Sequence, residues 1–251
     1  MHNNIKRFFE LSSFLFFIIL LTGGVFAELR IIKNTPSWAP NLFMIAGSLL
    51  ILKFSKRPLF YFLLLIGFLG FFYEVLGVKT GIFFGSYKYT EVFNLKLFSV
   101  PIVMISAWII IVNFSLSFIH NIKTKYFILF GSLMMVIIDL VIDPIAVNSL
   151  EIWTWDEKGS YYGIPNHNFL GWFVLSIPIF ILLRFSKQKI MFSSRMISNL
   201  VISFFCIIGF INEIYFPAIL GSLLVILNCL LFLNEMKTRD KNDLWKLIKK
   251  R

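Results

Sequence analysis

Charged residues are scarce in this sequence: Asp, Glu, Lys and Arg make up 15% of the 251 residues, and 58% are hydrophobic. A soluble domain of this length is nearer about a quarter charged and about half apolar. Apolar runs recur from end to end, and no polar block is long enough to fold alone. The sequence therefore predicts a single transmembrane helical domain over residues 1–235, followed by a basic cytoplasmic tail over 236–251.

Metal-ligating residues are also few. The two cysteines, Cys206 and Cys229, lie inside apolar segments, and the three histidines are scattered at positions 2, 120 and 167. No CxxC pair and no Cys/His zinc spacing occurs. Membrane di-iron oxygenases and desaturases need clustered histidines, so this composition excludes that class and predicts no metal site.

The net charge of +11 comes from Lys and Arg residues at the ends of apolar runs. That position is typical of charges that set membrane orientation, and no basic patch with exposed aromatics accompanies them. We therefore expect membrane lipid as a partner and no nucleic acid.

Apolar runs of about 20 residues predict an all-α, polytopic membrane bundle of about eight transmembrane helices. Seven is the alternative count, because only a short turn at 214–217 separates the last two runs. The first run could be a cleaved signal peptide ending near Ala27. Its length favours a retained helix. The predicted helices are 8–29, 37–54, 58–76, 100–119, 126–147, 169–186, 196–212 and 214–234.

With the N-terminus inside, 18 Lys and Arg residues fall on the inner side and 6 on the outer side. This asymmetry predicts a multi-pass protein of the cell membrane with both termini in the cytoplasm. The basic tail would then rest on the anionic inner leaflet.

Ionisable groups inside a bilayer are costly and usually face a cavity or a partner. Glu10 and Glu235 fall at inner helix ends and are interpreted as ordinary interfacial residues. Five other carboxylates fall toward the outer ends of predicted helices: Glu28, Glu74, Asp139, Asp143 and Glu213.

Asp139 and Asp143 are four residues apart and so project from one face of a helix. Two carboxylates in a dry site cannot both ionise cheaply, and the one that stays protonated can act as a general acid. The pair could instead be structural, or form a proton or cation site in a carrier.

Two outer loops, at 77–89 and 153–172, are rich in glycines, aromatics and amides. This mixture is typical of ligand-binding walls, although Trp and Tyr also form the aromatic belts at membrane interfaces. Asn166 and Asn168 could instead cap the sixth helix. No phosphate-binding loop or nucleophile elbow occurs.

At these residues the sequence resembles the carotenoid hydratases, a family of membrane proteins that includes bacterial gamma-carotene 1′,2′-hydratases and archaeal bisanhydrobacterioruberin hydratases. The resemblance covers roughly residues 70–175. Its pieces are Glu74 to Gly81 with Phe84 to Tyr89, Val100-Pro101 leading to Trp108, Asp139 to Pro144, and Trp153 to Trp172.

The resemblance implies hydration of a terminal double bond in a carotenoid psi end group, through a tertiary cation, without a cofactor. Asp139 or Asp143 would be the proton donor, and the other, or Glu74, would orient water and stabilise positive charge. Asn166 or Asn168 would hold the water. The expected substrate-binding aromatics are Tyr87, Tyr89, Trp108, Trp155 and Trp172.

Two other functions stay open from the sequence. A membrane polyisoprenoid transferase would need a second Asp-rich motif for a metal diphosphate, and none appears. A carotenoid carrier, or a scaffold for other carotenoid enzymes, should show inverted repeats or broken helices, and neither is evident.

Overall fold

The computed structural model describes residues 2–120, 122–186 and 190–248. Within them the chain forms a polytopic helical bundle of eight helices, which confirms the predicted fold class. Six helices are long and apolar enough to cross a membrane, and two apolar helices, α2 and α4, have 16 residues each. The helices are α1 His2–Glu28, α2 Ala39–Phe54, α3 Arg57–Thr80, α4 Met104–Ile119, α5 Thr124–Asn148, α6 Asn166–Leu183, α7 Phe192–Ile211 and α8 Tyr215–Ile248.

The last two apolar runs form separate helices, so the merging on which the alternative count of seven rested does not occur. α7 ends at Ile211, and Glu213 adopts a left-handed conformation with φ 62° in the turn that leads into α8. α8 then continues to Ile248, so the predicted tail at 236–251 begins within a helix. The tail side chains from residue 239 onward lie outside the described residues.

α4 is the central helix of the bundle. At about 1.5 Å per residue it is shorter than the hydrocarbon core is thick. However, 14 of its 16 residues are buried, including Trp108 and Phe114. Protein therefore surrounds α4, and the length that lipid would demand of an exposed helix does not apply.

α1 packs against the bundle through one narrow face. Phe17 is fully buried, and its ring stacks on Phe43 of α2 at 5.4 Å between centroids. Near the end of the helix, the Glu28 carboxylate accepts a hydrogen bond of 2.7 Å from Asn212. Most of the remaining surface of α1 faces outward, as expected for a helix at the edge of a membrane bundle.

The two predicted loops pair with each other as short strands, which the sequence analysis did not predict. β1 (Tyr87–Tyr89) runs antiparallel to β4 (Trp153–Trp155), with Tyr87 opposite Trp155 and Tyr89 opposite Trp153. β2 (Lys96–Leu97) and β3 (Val100–Pro101) form a hairpin, so α4 begins at Met104 rather than near residue 100. These strands lie where α3 and α5 end and α4 and α6 begin. We call this the loop end of the bundle.

The opposite end contains a buried ion pair. Arg195 lies in the first turn of α7 and is 1% exposed, although the sequence analysis counted it among the charges of an inner segment. Its guanidinium donates hydrogen bonds of 3.2 and 3.3 Å to Glu235 of α8. His120, after α4, has its Nε2 atom 3.2 Å from the same carboxylate. Glu235 therefore joins three helices, and its interpretation as an ordinary interfacial residue is wrong.

Candidate functional site

A cavity lies beneath the β1–β4 sheet at the loop end of the bundle. It encloses about 860 Å³ of empty space, including the open space at its mouth. Its wall is mostly aliphatic and aromatic and includes residues of α2, α4 and α7. The polar lining residues are Glu74, Tyr87, Tyr89, Asp139, Asp143 and Asn168. An apolar cavity with a few convergent polar groups is typical of a small-molecule site.

Glu74, near the end of α3, is held by three hydrogen-bond donors. Its Oε2 atom accepts bonds from the hydroxyls of Tyr87 at 2.5 Å and Tyr89 at 2.8 Å. Its Oε1 atom accepts a bond of 3.1 Å from the indole N–H of Trp108. An indole N–H can only donate, and three donors together stabilise an ionised carboxylate. The three bonds therefore hold the Glu74 carboxyl group in one position.

The two tyrosines reach Glu74 because of the strand alternation in β1. Tyr87 and Tyr89 point inward and are buried, whereas Lys88 between them is exposed. Burial, and after it the charge of Glu74, raises the pKa of both tyrosine hydroxyls well above their usual range. Both hydroxyls therefore stay protonated and remain donors to Glu74.

Trp108 can approach α3 only because residue 70 is a glycine. A Cβ atom on Gly70 would lie 2.1 Å from the ring of Trp108. The indole thus lies against the α3 backbone, one helical turn before Glu74. On its other side it stacks on Trp172 of α6, with ring centroids 4.6 Å apart and planes inclined by 23°.

Asp139 and Asp143 of α5 are bridged by a single side chain from α6. The amide nitrogen of Asn168 donates a hydrogen bond of 2.8 Å to the Oδ2 atom of each aspartate. Both aspartates are 3% exposed and Asn168 is 1% exposed. Two carboxyl groups held this close in an apolar cavity form an arrangement suited to sharing one proton.

Aromatic rings form a continuous wall around these polar groups. The Tyr87 ring lies 5.0 Å from that of Trp155, and Phe84 lies 5.7 Å from Trp172. Trp153 packs on Tyr89 at 6.0 Å. The faces of such rings attract positive charge, so the wall suits a cationic or electron-poor guest.

A sequence profile of the family described as "Carotenoid biosynthesis protein" matches residues 41–228. The match spans most of the chain and includes every residue that lines the cavity. The chain belongs to the carotenoid biosynthesis protein family. The comparison with curated proteins and that with solved structures gave no match.

In this carotenoid biosynthesis protein, nine of the ten predicted site residues line one cavity; their roles stay predictions. They are Glu74, Tyr87, Tyr89, Trp108, Asp139, Asp143, Trp155, Asn168 and Trp172. The tenth, Asn166, is exposed, does not line the cavity, and its Oδ1 atom lies 3.3 Å from the Ser160 hydroxyl that donates to it. The alternative that Asn166 or Asn168 caps α6 is also wrong, because Pro165 occupies the N-cap and no side chain caps the helix.

The five outer carboxylates do not form one cluster. Glu213 is exposed, and Glu28 bonds to Asn212 at the ends of α1 and α7, away from the cavity. Among the described residues, no three His, Cys, Asp or Glu side chains lie close enough together to hold a metal ion.

The part of the cavity wall that α2 and α7 supply could not be predicted from the sequence. Met44, Val201, Ile202 and Phe205 line the cavity but occur in ordinary apolar runs, which carry no signal of a binding role. Trp153 and Phe84 could have been predicted from the sequence as lining residues, since both belong to the two aromatic loops at 77–89 and 153–172.

Proposed function

We propose that this carotenoid biosynthesis protein adds water across the terminal double bond of a carotenoid psi end group and produces a tertiary alcohol. Family membership supports the pathway, and the resemblance of residues 70–175 to carotenoid hydratases supports the reaction. The observation that carries the proposal is the division of three buried carboxyl groups into two environments within one apolar cavity.

The Asp139–Asp143 pair supplies the acid in this proposal. One proton held between the two carboxyl groups passes to the less substituted carbon of the double bond, and the electron pair of that bond forms the new C–H bond. The neighbouring carbon becomes a tertiary cation. Asn168 keeps the two carboxyl groups together through its bonds of 2.8 Å and so orients the proton donor.

Glu74 and the aromatic wall stabilise the cation. Glu74 cannot readily act as the acid, because its two oxygens already accept three hydrogen bonds. A negative charge fixed in a dry cavity lowers the energy of a nearby cation without having to reorganise. The faces of Trp172 and Tyr87 add to this effect and exclude other nucleophiles.

The setting fits a lipid-soluble substrate. A carotenoid dissolves in the bilayer and can reach an apolar cavity from the membrane, so membrane lipid surrounds both enzyme and substrate. In this proposal the protein lies in the cell membrane with the loop end outward and both termini in the cytoplasm. Other carotenoid enzymes that supply the acyclic end group are its expected neighbours.

The direct test is expression in bacteria that make lycopene or gamma-carotene, followed by mass analysis of the pigments. We expect a product heavier than its precursor by the mass of one water per modified end. The conversion should persist in isolated membranes after treatment with a metal chelator. Unchanged pigment, with the protein verified in the membrane, would overturn the proposal and favour a carrier or scaffold. A product that gains a prenyl group instead of water, and that is lost with the chelator, would favour a metal-dependent transferase.

A further inference from the structure

Two polar atoms at the cavity have no hydrogen-bond partner among the described residues. One is the Oδ1 atom of Asp139, and the other is the indole nitrogen of Trp155. Both atoms are buried, and both residues line the cavity. Leaving a buried polar atom unpaired costs about 1–3 kcal/mol, so a pair of such atoms at one cavity indicates a polar guest.

The other polar groups of the cavity are already engaged. The N–H of Trp108 and the hydroxyls of Tyr87 and Tyr89 all donate to Glu74. The amide nitrogen of Asn168 donates to both aspartates, so its hydrogens are not available to hold a water molecule. A donor for the water, which the resemblance implied would be held by Asn166 or Asn168, is therefore sought in another residue.

Trp155 supplies a donor at a fixed position. It lies in β4 directly opposite Tyr87 of β1, and the two rings are 5.0 Å apart. Tyr87 in turn donates to Glu74, so the strand pairing ties the indole to the carboxylate site. A free N–H donor and a free carboxyl oxygen match the two needs of one water molecule, which must accept one bond and donate another.

We infer that the N–H of Trp155 donates a hydrogen bond to the oxygen of the reacting water and holds that water against Oδ1 of Asp139. This inference rests on the proposed hydration. Trp155 would be a positioning residue for the nucleophile, in addition to its place in the aromatic wall.

The aspartate pair and the bound water account for every proton in the hydration step. The aspartate pair gives its proton to the double bond and becomes more negative by one charge. The water oxygen then forms the C–O bond to the tertiary carbon, and one water proton passes to the aspartate pair through Oδ1 of Asp139. The pair regains its starting protonation, and the net change is addition of one water to the double bond.

A misplaced water has a consequence that distinguishes it from a structural defect. The cation still forms, but it loses a proton and returns to the alkene more often than it captures water. In heavy water, each such return can leave deuterium in the recovered carotenoid. The ratio of deuterated recovered substrate to hydrated product therefore measures water capture, and it does not depend on the amount of folded protein.

The experiment compares Trp155→Phe with the wild type in membranes supplied with lycopene in heavy water. Trp155→Phe keeps an aromatic ring and removes the N–H, so we expect the ratio to rise about tenfold, as for loss of one hydrogen bond to a reacting group. Trp38→Phe is the matched control, because Trp38 is exposed at the start of α2 and does not line the cavity, and its ratio should stay at the wild-type value.

Trp155→His retains a ring N–H and should recover part of the wild-type ratio. If Trp155→Phe gives the wild-type ratio, or if Trp155→His shows the same ratio as Trp155→Phe, the inference is wrong while the hydratase proposal stands. If the wild type yields neither hydrated product nor deuterated lycopene, the proposed function itself fails.

Discussion

Replacing Asp139 with Asn should lower the rate of carotenoid hydration by at least about a hundredfold, the scale on which general acids contribute. The amide cannot donate a proton of comparable acidity. The substitution also removes one of the two carboxyl groups that accept a hydrogen bond from Asn168. Asp143→Asn should have an effect of similar size, since the proton belongs to the pair. The measurement is the initial rate of alcohol formation in membranes, normalised to the amount of protein.

Asp156→Asn is the matched control for this prediction. Asp156 is an exposed carboxylate at the loop end, 3.7 Å from Lys88, and it does not line the cavity. Its replacement should leave the rate unchanged. If Asp139→Asn and Asp143→Asn both keep the wild-type rate, the aspartate pair is not the acid.

Glu74→Gln should reduce the turnover rate by about a hundredfold, comparable to removing one preorganised electrostatic group from an active site. The substitution removes the negative charge that would stabilise the cation. It also places an NH₂ group where one or two hydrogen-bond donors point, so that at least one of Tyr87, Tyr89 and Trp108 loses its acceptor. The expected change is mainly in kcat, because the charge acts on the cation more strongly than on the neutral carotenoid.

The control for Glu74→Gln is the same change at Glu157, which is exposed in the loop after β4 and lies outside the cavity. Glu157→Gln should behave like the wild type. A Glu74→Gln protein that keeps the wild-type kcat, with normal accumulation in the membrane, would show that a fixed negative charge at this position is not needed.

The helices could be predicted from the sequence because a bilayer demands long apolar runs with internally satisfied backbones. The shared face of Asp139 and Asp143 also followed directly from their four-residue spacing. By contrast, the spacing of Asn166 and Asn168 could not show which of them faces the cavity. Two residues at this spacing point to nearly opposite sides of a helix, and only the packing of α6 on α5 places Asn168 inward.

The strands and the tail-side ion pair escaped prediction for different reasons. β1 and β4 have three residues each, too few for a periodic pattern, and their pairing joins segments far apart in the chain. Arg195 lies at a helix start, where a basic residue usually faces the interface, and its burial depends on Glu235 forty positions later. Contacts of this kind depend on the tertiary arrangement rather than on local sequence.

The central claim is that the oxygen of the product comes from water through an acid-generated cation. Its most direct test is to incubate membranes containing the protein and lycopene in water enriched in the heavy oxygen isotope, with molecular oxygen excluded. The account predicts that the tertiary alcohol still forms and carries the heavy isotope. An alcohol that forms only in air, with its oxygen unlabelled, would contradict it.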